Sequence, residues 1–153
     1  MANAIVHIDS IHNNTYILAP IIESFYQETD KRNRDLLLSY LVLPLILHEE
    51  SRVKILRSNI RSSIYTIFSD TSILYGINER VQSFKEVTNK CILLSSMEKS
   101  LNIDDDISVE FIARNIDYSF CNVDKINSAK KLAALFNSHD IVEIFRKLGI
   151  NKI

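Results

Sequence analysis

Residues 35–48 read DLLLSYLVLPLILH, and Ser39 is the only polar position within residues 36–47. A helix that is apolar on all sides is typically buried, and the abundance of leucine favours a helix over the rival interpretation, a buried strand. Because proline lacks an amide N–H, Pro44 is predicted to kink or interrupt this helix about one turn from its end. Residues 36–47 are too few to span a bilayer, which takes about 20 helical residues.

Helical periodicity continues on both sides of this central segment. Asn14 is predicted to open a first helix, in which apolar residues recur at spacings of three and four through Tyr26. Residues 51–56 predict a short helix. Residues 60–68 predict another, with Ile60 on its apolar face.

A longer apolar stripe runs from Ile73 to Leu94, after a predicted break and cap at residues 70–72. It is interpreted as one long helix, or as two helices separated near Thr88. Gly76 is not interpreted as a break.

The period changes to two in residues 101–113, where β-branched and aromatic residues alternate with polar ones around three consecutive aspartates. This pattern is typical of a small β-hairpin. Helices followed by a hairpin are also the order of a winged-helix domain, which is an analogy of fold and not an argument for DNA binding. Residues 114–127 are interpreted as an exposed loop.

The C-terminal part predicts two more helices. Ser128 is expected to cap the first, and residues 137–139 form a turn. Asp140 and Glu143 have the spacing of a capping box for the second, and Gly149 is expected to end it.

The fold class is therefore predicted as mainly α: a compact helical domain with a small β-hairpin, winged-helix-like in its order of elements. Residues 1–153 are predicted to form a single domain, with residues 1–13 as a loose arm or a short strand. Only two glycines are present, which excludes glycine-rich phosphate loops.

Charge and cysteine content favour a cytoplasmic binding protein. The formal net charge of −1 shows no basic excess of the kind that DNA-binding domains usually carry. The N-terminal residues lack the basic start of an export signal. Cys91 and Cys121 form no CxxC pair, so a reducing compartment without a disulfide framework is expected.

Candidate chemical groups are few. His48, Glu49 and Glu50 are adjacent and diverge on a helix, and residues 104–106 lack the alternation and glycine of a calcium loop. Cys91 lies on an apolar stripe and is expected to be a buried, inert thiol. We therefore predict no enzyme activity and no catalytic, cofactor or metal site. The alternative is a small hydrolase or nuclease that uses acids such as Glu49, Asp104 or Asp106.

One basic segment is a candidate contact for a partner or for DNA. It comprises Arg52, Lys54, Arg57 and Arg61, the last three of which a helix would align. This segment is interpreted either as a solvated helix face or as a basic patch that meets phosphates or an acidic protein surface. A second cluster leaves the same alternatives open: Lys125, Lys130 and Lys131.

Several segments, in order, resemble one family: the small middle components of bacterial three-component ABC systems, which include the Lamassu anti-phage and plasmid-defence systems. The LVLPL-LH core and the LGI ending are the most specific of them. Phe145 stands where a tyrosine is common, and the usual glycine before the hairpin is absent. The matching segments are Asn14-Thr15, residues 35–48 with Ser51-Arg52, Ser63-Ile64, Arg80-Val81, and residues 88–94 and 129–150.

This resemblance implies a role and not a reaction. Such systems pair an SMC-like ABC ATPase, which senses foreign or damaged DNA, with an effector that is often a nuclease. The middle component is expected to bridge or regulate the two, to meet DNA only through the complex, and to have no membrane contact and no cofactor. The alternative is a winged-helix DNA-binding regulator with Arg52 to Arg61 on phosphate.

Overall fold

The structure is a computed structural model that describes residues 14–112, 119 and 121–153. It confirms a mainly α fold with one small β-hairpin. The interpretation of residues 1–13 as an arm or strand lies outside the described residues, as does that of residues 114–118 and 120 as part of a loop. The predicted loop extends to residue 127, but residues 123–127 are helical instead. The elements are α1 Thr15–Gln27, α2 Ser39–Ile46, α3 Glu49–Leu56, α4 Ile64–Ile67, α5 Ile77–Met97, β1 Leu101–Ile103, β2 Val109–Phe111, α6 Val123–Asn137 and α7 Ile141–Leu148, with short 3-10 helices at Asp35–Leu38 and Thr71–Leu74.

The leucine-rich segment forms the centre of the fold, as its composition predicts. In α2 the apolar side chains from Leu41 to Ile46 are completely buried, and α2 packs against α1, α5 and α6. The segment is not one helix, because its first turn is the 3-10 helix Asp35–Leu38. Pro44 lies inside α2, which ends two residues later at Ile46. Its missing amide therefore affects only the last turn of the helix.

Helix α1 contributes to the same core with buried side chains such as Phe25. Helix α1 packs against α6 and α5, and the ring of Phe25 meets that of Phe136 edge-on with 6.0 Å between centroids. Asn14 caps α1 as predicted, because its side-chain oxygen accepts a hydrogen bond from the Tyr16 amide at 2.9 Å.

The segment from residue 58 to residue 76 differs from the sequence prediction. Helix α4 is a single turn, and Ile60 is fully exposed in the preceding turn instead of lying on an apolar face. Gly76, in the left-handed region at φ 70°, does separate the 3-10 helix Thr71–Leu74 from α5. Glycine adopts this conformation at little cost, so its presence marked a real break. Helix α5 then continues unbroken past Thr88.

The C-terminal helices begin differently from their prediction. Asn122 caps α6, and Ser128 lies inside the helix with its hydroxyl donating to the Asp124 carbonyl at 2.6 Å. Asp140 is the N-cap of α7 but makes no side-chain cap, so only half of the predicted capping box is present: the Glu143 carboxylate accepts from the Asp140 amide. Gly149 ends α7 with φ 71°, as predicted.

The hairpin is antiparallel, with Leu101 opposite Phe111. Its turn lies against the 3-10 helix Asp35–Leu38, because the amides of Arg34 and Leu36 donate to the carbonyls of Asp106 and Ile107. In the part of the chain that the structure describes, no helix has the length and apolar character needed to cross a membrane.

Candidate partner-binding surface

Two of the four predicted contact residues are engaged within the fold. The guanidinium of Arg52 donates to the Ile46 carbonyl at 3.0 Å, where it caps the end of α2. Lys54 forms an ion pair with Asp70 at 3.3 Å. Arg52 and Lys54 are therefore less available to a partner than their sequence position suggests.

The other two residues are exposed, but on different elements. Arg57 is the C-cap of α3, whereas Arg61 lies beyond the helix, so the predicted alignment of the three cations along one helix is wrong. A turn held by Asn59 and Ser62 carries Arg61: the Asn59 amide donates to the Ser62 hydroxyl, and the Arg61 amide donates to the Asn59 side chain, both at 2.9 Å. We call Arg57, Ile60 and Arg61 the basic turn.

Lys131, from the second basic cluster, is hydrogen-bonded to the backbone on either side of Arg57. The ammonium of Lys131 donates to the carbonyls of Leu56 at 2.5 Å and Ser58 at 3.0 Å. It thus satisfies carbonyls at the C-terminus of α3, where a cation is electrostatically favoured. Lys131 has a structural role, while Lys125 and Lys130 lie half-buried on α6.

His48 has a local structural role. Its Nδ1 lies 2.8 Å from the Ser51 hydroxyl and 3.4 Å from the Ser51 amide, at the N-cap of α3. Burial, followed by the nearby Arg80 guanidinium, lowers the pKa of His48 below its usual 6.5. Protonation would remove the acceptor that this cap needs.

Replacement of His48 with asparagine is expected to reduce the loss of stability in mild acid. Because the folded-state pKa of His48 is depressed, its contribution is present above pH 6.5 and is lost as the pH falls through the lowered pKa. Asparagine keeps a cap acceptor and does not titrate there. Urea denaturation of both proteins from pH 7.5 to 5 should show the smaller decline for His48→Asn, and parallel curves would contradict the assignment.

Two arginines that the sequence does not predict as structural contacts bond to carbonyls at or near the ends of helices. Arg80 of α5 donates to the Pro44 carbonyl at 3.3 Å and to the Ile73 carbonyl at 3.1 Å. Arg32 donates to the carbonyls of Phe136 at 2.9 Å and His139 at 2.5 Å. No local sequence signal marks these bonds, since most of them join distant residues.

The acidic candidates also have partners within the fold. Lys31 pairs with Asp104, and Asp106 accepts from the Ser108 hydroxyl at 2.6 Å. Among the described residues, no group of three or more potential metal ligands comes together. Glu49 lies exposed in the first turn of α3.

Cys91 is buried, as predicted, and burial together with the charge of Glu23 raises the pKa of its thiol to about 12. Such a thiol is protonated at neutral pH and is a poor nucleophile. Glu23 is itself buried and accepts hydrogen bonds from the hydroxyls of Ser95 at 2.7 Å and Ser100 at 2.6 Å. The two hydrogen bonds of Glu23 therefore join α1 to α5, through Ser95, and to the start of the hairpin, through Ser100.

A side-chain cluster links α4 to α7. The Tyr65 hydroxyl donates to Glu143 at 2.5 Å, and His139 Nδ1 lies 3.2 Å from the same carboxylate oxygen. The hydrogen bond from Tyr65 lowers the pKa of Glu143. Glu143 thus joins α4 to α7 in addition to accepting from the Asp140 amide at the start of α7.

A protein-family model matches almost the whole chain. It covers residues 2–152 and describes an ABC-three component (ABC-3C) system Middle Component 3. No curated protein and no solved structure matches the chain. The family match extends over both the leucine-rich centre and the C-terminal helices, the segments that carry the resemblance seen in the sequence. The chain therefore belongs to the Middle Component 3 family of ABC-three component systems.

Proposed function

We propose that this chain is a non-catalytic subunit of a bacterial anti-phage or plasmid-defence complex of the Lamassu type. It bridges or regulates an SMC-like ABC ATPase and an effector nuclease, and it acts in the cytoplasm. The observation that carries this proposal is the family match across residues 2–152, since a middle component of a three-component system has protein partners.

The basic turn supports a contact with an acidic protein surface. Arg57 and Arg61 are exposed, and neither pairs with an acid among the described residues. Ile60 stands between them, completely exposed on a turn whose backbone is held by Asn59 and Ser62. Arginine is enriched at protein interfaces, and the exposed side chain of Ile60 offers apolar area that a partner could bury.

Reversal of both charges in the basic turn is expected to weaken assembly. With the three components purified separately, Arg57→Glu/Arg61→Glu should bind at least one partner about tenfold more weakly, because each glutamate would face acidic groups. The control is Lys90→Glu/Lys99→Glu, which makes the same change in net charge at other exposed positions. Absence of any association by the unaltered chain in size-exclusion chromatography would refute the proposed function.

A DNA-binding regulator is the second candidate, favoured only by the order of helices and hairpin. The hairpin turn carries three aspartates and lies against the 3-10 helix Asp35–Leu38, an unsuitable arrangement for a wing that meets phosphates. Fluorescence anisotropy with duplex DNA separates the candidates. Salt-dependent binding by the lone subunit would favour the regulator.

A further inference from the structure

An apolar groove of about 530 Å³ lies between α7 and the residues that follow it. Ile141, Val142 and Phe145 of α7 line one side, and Leu37 of the 3-10 helix lines another. Ile150 and Ile153 complete the lining from the C-terminal residues. Val142 is 66% exposed, so the groove leaves apolar surface open to water. A concave site lined mainly by apolar side chains with a few polar groups is typical of binding sites.

The wall made by the C-terminal residues is held in place by α5. The Asn78 side chain donates to the Gly149 carbonyl at 2.9 Å and accepts from the Asn151 amide at 3.2 Å. Gln82 donates to the Lys152 carbonyl at 3.0 Å. These bonds fix the backbone of the wall, so the groove exists before anything enters it. A preformed groove costs a ligand less ordering free energy.

The charges around the groove indicate what it accepts. Among the described residues, two charged side chains line the groove, and both are exposed cations: Arg146 and Lys152. Glu143, on the same helix, is bonded to Tyr65 and His139. An apolar interior with cationic edges complements a segment that has apolar side chains on one face and carboxylates beside them.

We infer that this groove binds an acidic amphipathic segment of another component of the same three-component system. The inference rests on the proposed function. It gives the chain a second binding surface, besides the basic turn, and a subunit that bridges two partners needs two such surfaces. DNA does not fit this site, because phosphates would have to lie over apolar side chains.

Val142→Asp tests the groove directly. An aspartate there would place a carboxylate among apolar groups and facing an acidic ligand, so we expect binding of one component to weaken at least about tenfold. Val142 is the second residue of α7, where an aspartate suits the helix N-terminus, so folding should be retained. Val123→Asp is the matched control, since Val123 is 68% exposed and is the first residue of α6. It should bind within about twofold of the unaltered chain.

Isothermal titration of each variant with each separately purified component distinguishes the outcomes. Arg146→Glu/Lys152→Glu should also weaken the binding that Val142→Asp weakens, and thermal denaturation should show all variants folded. If the unaltered chain binds but Val142→Asp binds equally well, the groove inference is overturned and the proposed function stands. If the unaltered chain binds neither component, both are overturned. Weakening by Val142→Asp without any effect of the arginine–lysine reversal would overturn the acidic character of the ligand.

Discussion

Replacement of Phe136 with alanine is expected to lower the free energy of unfolding by about 3–5 kcal/mol. Phe136 has no exposed surface, and its ring meets Phe25 edge-on, so it joins α6 to α1 across the core. Alanine would remove both the buried apolar area and the aromatic pair and leave a cavity that close-packed neighbours fill only in part. Urea denaturation monitored by circular dichroism measures the loss directly.

The matched control is Phe84→Ala on α5, because Phe84 is only partly buried. Its loss of stability should be clearly smaller, since part of that ring already contacts water. A loss of less than about 1 kcal/mol for Phe136→Ala would contradict its place in the core. Since a domain is typically stable by only about 5–15 kcal/mol, the expected loss is a large fraction of the total.

Asp35→Ala is the second large effect, with an expected loss of about 2–4 kcal/mol at neutral pH. The Asp35 carboxylate is completely buried and accepts from the Val109 amide at 2.7 Å and the Arg32 amide at 2.9 Å. Alanine would leave both donors without this acceptor and would remove one of the contacts between the hairpin and the 3-10 helix, while the backbone bonds of Arg34 and Leu36 remain. Alanine also removes the desolvation cost of burying a carboxylate. This offsets part of the loss of stability and keeps the expected value moderate.

The pH dependence of this effect has a definite sign. Burial raises the pKa of Asp35 above its usual 3.8, more than its two amide hydrogen bonds lower it. The stabilisation linked to this shift is therefore fully present below pH 3.8 and is lost as the pH rises through the raised pKa. The difference between the unaltered protein and Asp35→Ala should grow as the pH falls.

Asp35→Asn serves as the control for the pH effect, because it keeps one acceptor for Val109 and has no charge to lose. It should be intermediate in stability at neutral pH, and the stability difference between it and Asp35→Ala should not vary with pH. Equal stability of Asp35→Ala and the unaltered protein in urea denaturation would show that these two hydrogen bonds contribute nothing net.

The sequence predicted well wherever the signal was local and periodic. Burial of the leucine-rich segment followed from an apolar run with one polar position, and the hairpin followed from a change of period around three aspartates. Gly149 was recognisable as a helix end because glycine adopts the left-handed conformation freely. Gly76 adopts the same conformation and separates the 3-10 helix from α5, so the interpretation that it makes no break is wrong.

The prediction failed where side-chain hydrogen bonds and ion pairs override the spacing of apolar residues or engage a cation within the fold. Ile60 fits a helical spacing with Ile64, yet the hydrogen bonds of Asn59 and Ser62 turn the chain before α4 begins. Ser128 resembles a cap, but Asn122 starts α6 earlier. The basic segment looked continuous, while Arg52 and Lys54 are engaged by the Ile46 carbonyl and by Asp70.

The amino-acid sequence by itself determined the helical class, the buried centre, the position of the hairpin and the family, because apolar periodicity and residue order are properties of the chain alone. Only the tertiary structure decided which cations remain exposed and where a preformed groove lies. Helix-end carbonyls accept from the donors that the fold brings close, so Arg80 and Lys131 are hydrogen-bonded within the structure, whereas Arg57 and Arg61 are exposed. The groove likewise exists because Asn78 and Gln82 hold residues about seventy positions away in sequence.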